Sequence, residues 1–351
     1  MRIPFFSAIG TADVILLMRN LSMTLRAGVP VTQGLSMFEA DARGLRRAVI
    51  SHLRKTVESG QTLAYAMETS PYTFPPIAVH LVQVGEMSGS LEQNLDTLVD
   101  HLRRIQDLQR KIRTAMMYPT FVLVACLGLG LSIGTIVLPQ LMPLFESLDV
   151  KLPLSTQILM WLAEYFRVYG IVTSVGVTVS LVLLFTISRF ETFKPLFHRF
   201  FLLIPLIGTV QLKTGIAQFS SALSVLLKSG VAVREALPAV ALAVENRIIR
   251  RAILDAVPVV EGGSTLVEGL RASGKLFPGM TCSLVAIGEE TGSLAETLEY
   301  IASYYQGEVD YAIKNLTTTL EPVLLIVIGT LVGFTVMAII TPLYDVTSSI
   351  G

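Results

Sequence analysis

Charge is what this sequence has least of. Only 15% of its 351 residues are Asp, Glu, Lys or Arg, against about a quarter in ordinary soluble domains. Mean hydropathy is correspondingly high, at +0.63. Such a chain is too apolar to be disordered, to form a polar coiled-coil rod or to dissolve as a simple cytosolic enzyme. Neither sign of charge is in excess: 27 basic and 27 acidic residues cancel. A protein that coats nucleic acid would be strongly basic, so no nucleic-acid partner is expected. Cysteine is nearly absent. Cys126 and Cys282 are too few for a disulfide framework or a four-ligand zinc site. Alternating strand patterns of useful length are missing as well. What is left is an all-α integral membrane protein.

Three stretches carry no charge at all. They hold 32 residues between Arg113 and Glu146, 21 between Arg167 and Arg189, and 23 between Glu321 and Asp345. A bilayer core of about 30 Å takes about 20 apolar residues as a helix. Transmembrane helices are therefore predicted over 118–141, 168–188 and 322–344. Two further runs, 200–212 and 276–288, have 13 residues each and contain proline. They are too short to span and read as buried or interfacial helices.

Lys and Arg near the spans set the orientation. Nine of them, among them the cluster Arg103, Arg104, Arg110, Lys111 and Arg113, flank one side, and only Lys151 and Arg167 flank the other. The short arm 1–12 and the polar segments 13–115 and 189–320 are then expected in the cytoplasm. The loop 142–167 and the tail 345–351 are expected outside. Asp13 and Arg19 interrupt the first apolar run, which argues against a cleavable signal peptide. Trp161, the only tryptophan, falls where an aromatic interface anchor belongs.

The chain is written twice. LRAGVPVTQGL at 25–35 returns as LKSGVAVREAL at 227–237. Residues 74–102 and 277–305 are identical at 10 of 29 positions, where chance gives roughly two. Pro119 and Pro139 around the first span match Pro322 and Pro342 around the third. The unit is a helical domain of about 100 residues followed by a span. The unpaired second span returns the chain, so that two homologous helical-bundle domains share the cytoplasmic face above three transmembrane helices. The last helix of the first domain shows an apolar seam through Leu91, Leu95, Leu98, Leu102, Ile105, Leu108 and Ile112. Capping boxes start that helix at Ser90 and its counterpart at Ser293. Gly28 and Gly230 sit where turn glycines end a helix.

Catalytic patterns are incomplete wherever they start. Gly269 to Lys275 approaches a phosphate loop, but Leu276 stands where Ser or Thr must hold magnesium. The equivalent place in the first repeat, 67–74, has no Gly-Lys. His52, His80, His101 and His198 lack metal-ligand spacing and read as exposed or capping. Ser88 and Thr291 are not in a nucleophile elbow. No catalytic residue, cofactor or metal is expected. The motif G-E-x-[ST]-G-S-L nevertheless recurs at Gly85 and Gly288. Its glycines, with Gly89 and Gly292, make turns. Glu86 and Glu289 have two readings: satisfying a buried amide or an arginine within the domain, or touching a partner once per domain. The basic cluster likewise reads as a topology and headgroup anchor or as a dock for an acidic partner.

These residues resemble the type II secretion F domain family, the inner-membrane platform proteins of type IV pilus and type II secretion machines. The resemblance runs from about Leu16 to Tyr344. It rests on L-x-x-G-V after the first helix, then FP, then GExSGSL, each copy followed by a span that opens on proline. It implies a multi-pass protein of the bacterial inner membrane with an assembly role rather than catalysis. The implied partners are a hexameric cytoplasmic ATPase, pilin or pseudopilin transmembrane helices, other inner-membrane assembly proteins, and further copies of the chain, with a dimer as the simplest form. Gly85, Glu86, Gly89, Gly288, Glu289 and Gly292 match the family signature as candidate partner contacts. A transporter built from two parallel repeats is the alternative, although no span supplies a charged binding group.

Overall fold

The computed structural model of the chain describes residues 10–70, 74–132 and 205–350, with scattered positions from 136 to 180. Every regular element among the described residues is helical. The first repeat gives α1 (Thr11–Arg26), α2 (Val31–Asp41), α3 (Gly44–Glu58), α4 (Leu63–Glu68), α5 (Pro76–Ser88) and α6 (Leu91–Ser132). The second gives α7 (Pro205–Lys228), α8 (Val233–Ala243), α9 (Arg247–Glu261), α10 (Leu266–Arg271), α11 (Gly279–Thr291) and α12 (Leu294–Ile350). The two sets correspond one to one at an offset of 202 residues through the second helix and 203 after it.

Local chemistry explains these boundaries. α1 and α7 end at Gly28 and Gly230, with φ of 76° and 87°, a left-handed conformation open to glycine without a Cβ penalty. Gly89 and Gly292, both at φ 70°, close α5 and α11 the same way. Proline opens α5 at its first position, where no amide partner is lost. Asn246 caps α9, its side-chain oxygen accepting from the amides of Ile248 at 2.9 Å and Ile249 at 3.3 Å.

Two compact units emerge, and their borders cut across the repeats. One comprises Met1–Lys111 and His198–Ala312, so it contains the polar part of both repeats. Its buried side chains form one continuous apolar core. Within each repeat successive helices pack in chain order, α1 on α2 through α4 on α5, and α7 on α8 through α10 on α11. Between repeats, α5 packs on α8 and α7. Phe219 on α7 is the largest fully buried side chain among the described residues, and its ring meets Phe277 edge-on at 5.3 Å.

The other unit comprises Ile112–Phe197 and Ile313–Gly351. Of the three predicted spans, 322–344 lies within α12, and 118–141 is described only as far as α6 reaches, apart from Ile136. Most of 168–188, of the loop 142–167 and of the arm 1–12 lies outside the described residues. One helix segment among the described residues, Leu294–Thr330, is long and apolar enough to cross a membrane. The side chains here turn outward: Phe121, Leu123 and Val124 on α6 and Leu325, Ile326 and Val327 on α12 are all exposed. Trp161, Tyr165 and Tyr169 form an exposed aromatic ladder, with successive ring centroids 6.2 Å and 5.5 Å apart.

Phe219 gives a direct check on the shared core. The first repeat has Leu17 at the equivalent position. Phe219→Ala should cost about 3–5 kcal/mol and Phe219→Leu under about 2 kcal/mol, read from denaturant midpoints of the full chain in mild detergent. Equal losses for the two variants would show that the site is not packed as described.

Candidate functional site

The repeated signature builds a helical hairpin whose every unusual residue has a partner. Gly85 lets α5 approach α6: a Cβ there would lie 2.8 Å from the Leu91 Cα and 3.2 Å from the Asn94 amide nitrogen. Asn94 in turn donates to the Leu81 carbonyl at 3.1 Å. Gly288 does the same for α11 and α12, where a Cβ would meet Thr297 Oγ1 at 2.9 Å and the Leu294 Cα at 3.0 Å. The hydroxyls of Ser88 and Ser90 pair at 2.6 Å across the turn, as do those of Thr291 and Ser293.

Glu86 and Glu289 reach back to the short helix that precedes them. The Glu86 carboxylate accepts from the Leu63 amide at 2.6 Å and from the Ala64 amide at 3.0 Å. The Glu289 carboxylate accepts from Leu266 at 2.6 Å and Val267 at 3.0 Å. The next amide is taken by a threonine cap: Thr62 accepts from Tyr65 at 3.1 Å, and Thr265 from Glu268 at 3.3 Å. Three of the four amides that a helix start leaves without partners are thus satisfied in each repeat. The carboxylates also meet the positive end of the helix dipole. The sequence carried a signal for the threonines, a Thr-Leu pair recurring 203 residues apart at 62–63 and 265–266. Nothing local pointed from Glu86 to an amide 23 residues upstream.

His101 departs from the expectation for the histidines. It is 2% exposed rather than on the surface, because its position on α6 beside Leu98 and Leu102 turns it toward the second repeat. Its Nδ1 lies 3.0 Å from the Ser221 hydroxyl on α7, and its Nε2 is buried without a partner. Burial, reinforced by the Arg104 charge, holds its pKa down to about 4. The ring is therefore neutral at pH 7. A cleft of about 220 Å³ opens beside it, lined among others by Asp100, Arg104, Lys228 and Glu299. Lys228, then Arg104, holds the Glu299 carboxyl below the usual range.

The basic cluster divides. Arg104 reaches Glu299 at 3.8 Å and Lys111 reaches Asp310 at 2.7 Å, so two of its five members tie α6 to α12. Arg103, Arg110 and Arg113 are exposed. The pairs are surface pairs, worth under about 1 kcal/mol each. The Gly269–Lys275 segment has no phosphate-loop geometry. Gly269 lies inside α10, where a Cβ would come within 2.7 Å of the Ala256 Cβ, and Gly274 makes a turn at φ 62°. Among the described residues no cluster of His, Cys, Asp and Glu could hold a metal ion.

Comparison with known proteins places this architecture. The family model described as type II secretion system, protein F, matches twice, over residues 17–139 and 219–342. The type IV pilus assembly protein PilC of Pseudomonas aeruginosa is 31% identical over 341 residues, covering 97% of this chain and 91% of the relative. PilC of Thermus thermophilus is 32% identical over 347 residues, covering 97% of this chain and 84% of the relative. The type II secretion system protein F of Pseudomonas aeruginosa is 29% identical over 352 residues, covering 86% of the relative.

Two measurements follow from the site. Glu86→Gln keeps one acceptor but turns its amide NH2, a donor, toward the second backbone N–H, so it should cost about 1–3 kcal/mol, and Glu289→Gln a similar amount. Hydrogen exchange should speed up first at residues 63–66 or 266–269 respectively; protection unchanged there would contradict the capping role. For His101 the folded pKa lies below the ordinary value of 6.5. The unfolded chain then binds the extra proton between pH 6.5 and about 4, and stability falls as pH falls through that window. Lowering pH from 7 to 5 should remove about 2 kcal/mol, and His101→Gln should flatten that slope in pH-dependent unfolding.

Proposed function

The chain belongs to the type II secretion system protein F family, and from that premise we propose that it is the inner-membrane platform of a type IV pilus or type II secretion machine. In this reading it couples a cytoplasmic hexameric ATPase to the assembly of pilin or pseudopilin subunits, and acts by holding and moving partners rather than by catalysis. The observation that carries it is the family match in both repeats, together with near full-length similarity to proteins named for pilus assembly and for secretion.

The proposed topology has three spans, 118–141, 168–188 and 322–344, with the N-terminus and both helical bundles in the cytoplasm and the C-terminus outside. Outward-facing apolar side chains on α6 and α12 support it, since such side chains need a hydrocarbon environment. The Trp161 ladder suits the outer interface. α6 and α12 each continue from polar sequence into an apolar segment, as a span that follows a helical domain would. Pilin helices are taken to pass beside the spans within the bilayer. The signature residues enter a partner contact by shaping the hairpin that presents exposed neighbours such as Met87 and Glu290.

The test is affinity purification from gently solubilised native membranes, with mass spectrometry of what accompanies the chain. A hexameric secretion-type ATPase and prepilin-like proteins should be recovered. Recovery of the chain alone, in several detergents and after crosslinking, would overturn the platform reading and favour substrate flux as the activity to measure.

A further inference from the structure

Where α6 of the first repeat meets α7 of the second, the buried surface is polar. On α7 the positions Thr214, Gln218, Ser221, Val225 and Lys228 follow one another at i, i+4, i+7, i+11 and i+14, a single helical stripe. Gln218 is 4% exposed, Ser221 is 7% exposed, and the Thr214 hydroxyl is buried. The corresponding stripe on α1 is Ala12, Leu16, Arg19, Met23 and Arg26, all of them exposed. Burial and polarity are thus inverted: the uncovered stripe carries Leu and Met, and the covered one carries Thr, Gln and Ser. A covered stripe of that composition adds little of the apolar burial that holds a core together.

Hydrogen bonding does not make up the difference. From α6, His101 pairs with Ser221, and Gln109 donates to the Glu245 carboxylate. Gln218 accepts from the Glu245 amide at 3.3 Å, just beyond the usual range. The Thr214 hydroxyl and His101 Nε2 have no partner at all. A buried polar atom in that state is better served by water than by the protein.

Water has a way in, because the cleft beside His101 is also lined by Ser221 and Lys228 of the stripe. The charged groups that face the ring there are Asp100 and Arg104 from α6, Lys228 from α7 and Glu299 from α12. They are two of each sign, so the dryness of the site decides the ring's charge more than any one neighbour does. The rest of the contact between repeats is different in kind. α5 packs on α8 through apolar side chains, with Ile77 and Leu81 on the first and Ala239 on the second all buried.

We propose that this seam is a proton-sensitive joint: α6 and α7 part along it, water enters from the cleft, and His101 takes up a proton once wetted, which holds the seam open. The apolar contact of α5 with α8 stays closed and is the hinge. Acidification then loosens the grip of the first repeat on the second without unfolding either, a local opening of the kind that sparse apolar contact permits. The inference goes beyond the platform reading, and its test needs no partner.

Thiol labelling of the full-length chain in mild detergent reads the two sides separately. With Cys126 replaced by alanine, Cys282 is the internal reference, since its side chain is buried in the core and is reached on global unfolding. Thr214→Cys puts a thiol on the seam, and Ala239→Cys puts one on the hinge side. Rates are read by mass spectrometry and divided by the rate of an unfolded peptide thiol at the same pH. At pH 7.5 the thiol at 214 should react at least tenfold faster than Cys282, and the one at 239 no faster than Cys282. Between pH 7.5 and 5.5 the rate at 214 should rise about tenfold, because the ring titrates near its ordinary 6.5 when wetted and at about 4 in place. His101→Gln should abolish that rise. If Thr214→Cys lowers the unfolding midpoint, Gln218→Cys reports from the same stripe. Equal rates at 214 and Cys282 would show that the seam opens only when the chain unfolds. A rate at 214 that ignores pH, or that still rises in His101→Gln, would show that the proton does not control it. A thiol at 239 as fast as the one at 214 would mean that the repeats come apart without a hinge. Any of these results overturns the proposal.

Discussion

Helices α4 and α10 have six residues each, and helices that short do not persist in water on their own, because the first turn fixes several residues for a single hydrogen bond. Each exists here because a carboxylate from the following helix takes two of its first amides. That one interaction fixes where α5 sits against α4, and α11 against α10. Once α5 is placed, Gly85 lets α6 lie close against it, and the hairpin turn at Gly89 needs the left-handed conformation found there. The signature motif is thus one mechanical joint: a cap, a close approach and a turn, spaced so that all three act on the same pair of helices.

The second level is the contact between repeats, where two similar sequences are put to different uses. Position 101 shows the consequence. In the first repeat it is a histidine held neutral against Ser221; in the second the equivalent position is Tyr304, exposed. The same holds at Leu108 and Tyr311. Both repeats keep a tie from the end of the first helix to the last, Arg26 to Asp96 and Lys228 to Glu299. Only the second of these is joined by a residue of the other repeat, Arg104.

Much of the unit's construction was legible in the sequence. The repeat offset, the turn glycines, the helical class and the leucine seam of α6 are local or periodic features, so composition and spacing expose them. The partner of Glu86 was not, since a carboxylate that caps a helix 23 residues upstream leaves no local pattern. Nor was the fate of His101. Periodicity places it beside the seam, but whether the neighbouring face meets water or another repeat is decided by tertiary packing. The division into compact units was hidden for the same reason. Sequence similarity delimits what was duplicated, whereas burial follows what packs together, and both bundles share one core.

α5 is where these two levels meet. Its Glu86 side holds α4, while Ile77, Leu81 and Val84 lie on the stripe that the other repeat covers. A displacement at α4 must therefore move the face through which the first repeat grips the second, since a thirteen-residue helix is rigid on this scale. α11 has the same cap through Glu289, but at the equivalent positions Met280 and Ile287 are exposed. The physical difference between the repeats thus reduces to what covers one helical stripe. In the first repeat a motion of the short helix is passed inward to the second; in the second it is passed outward to whatever lies on α11.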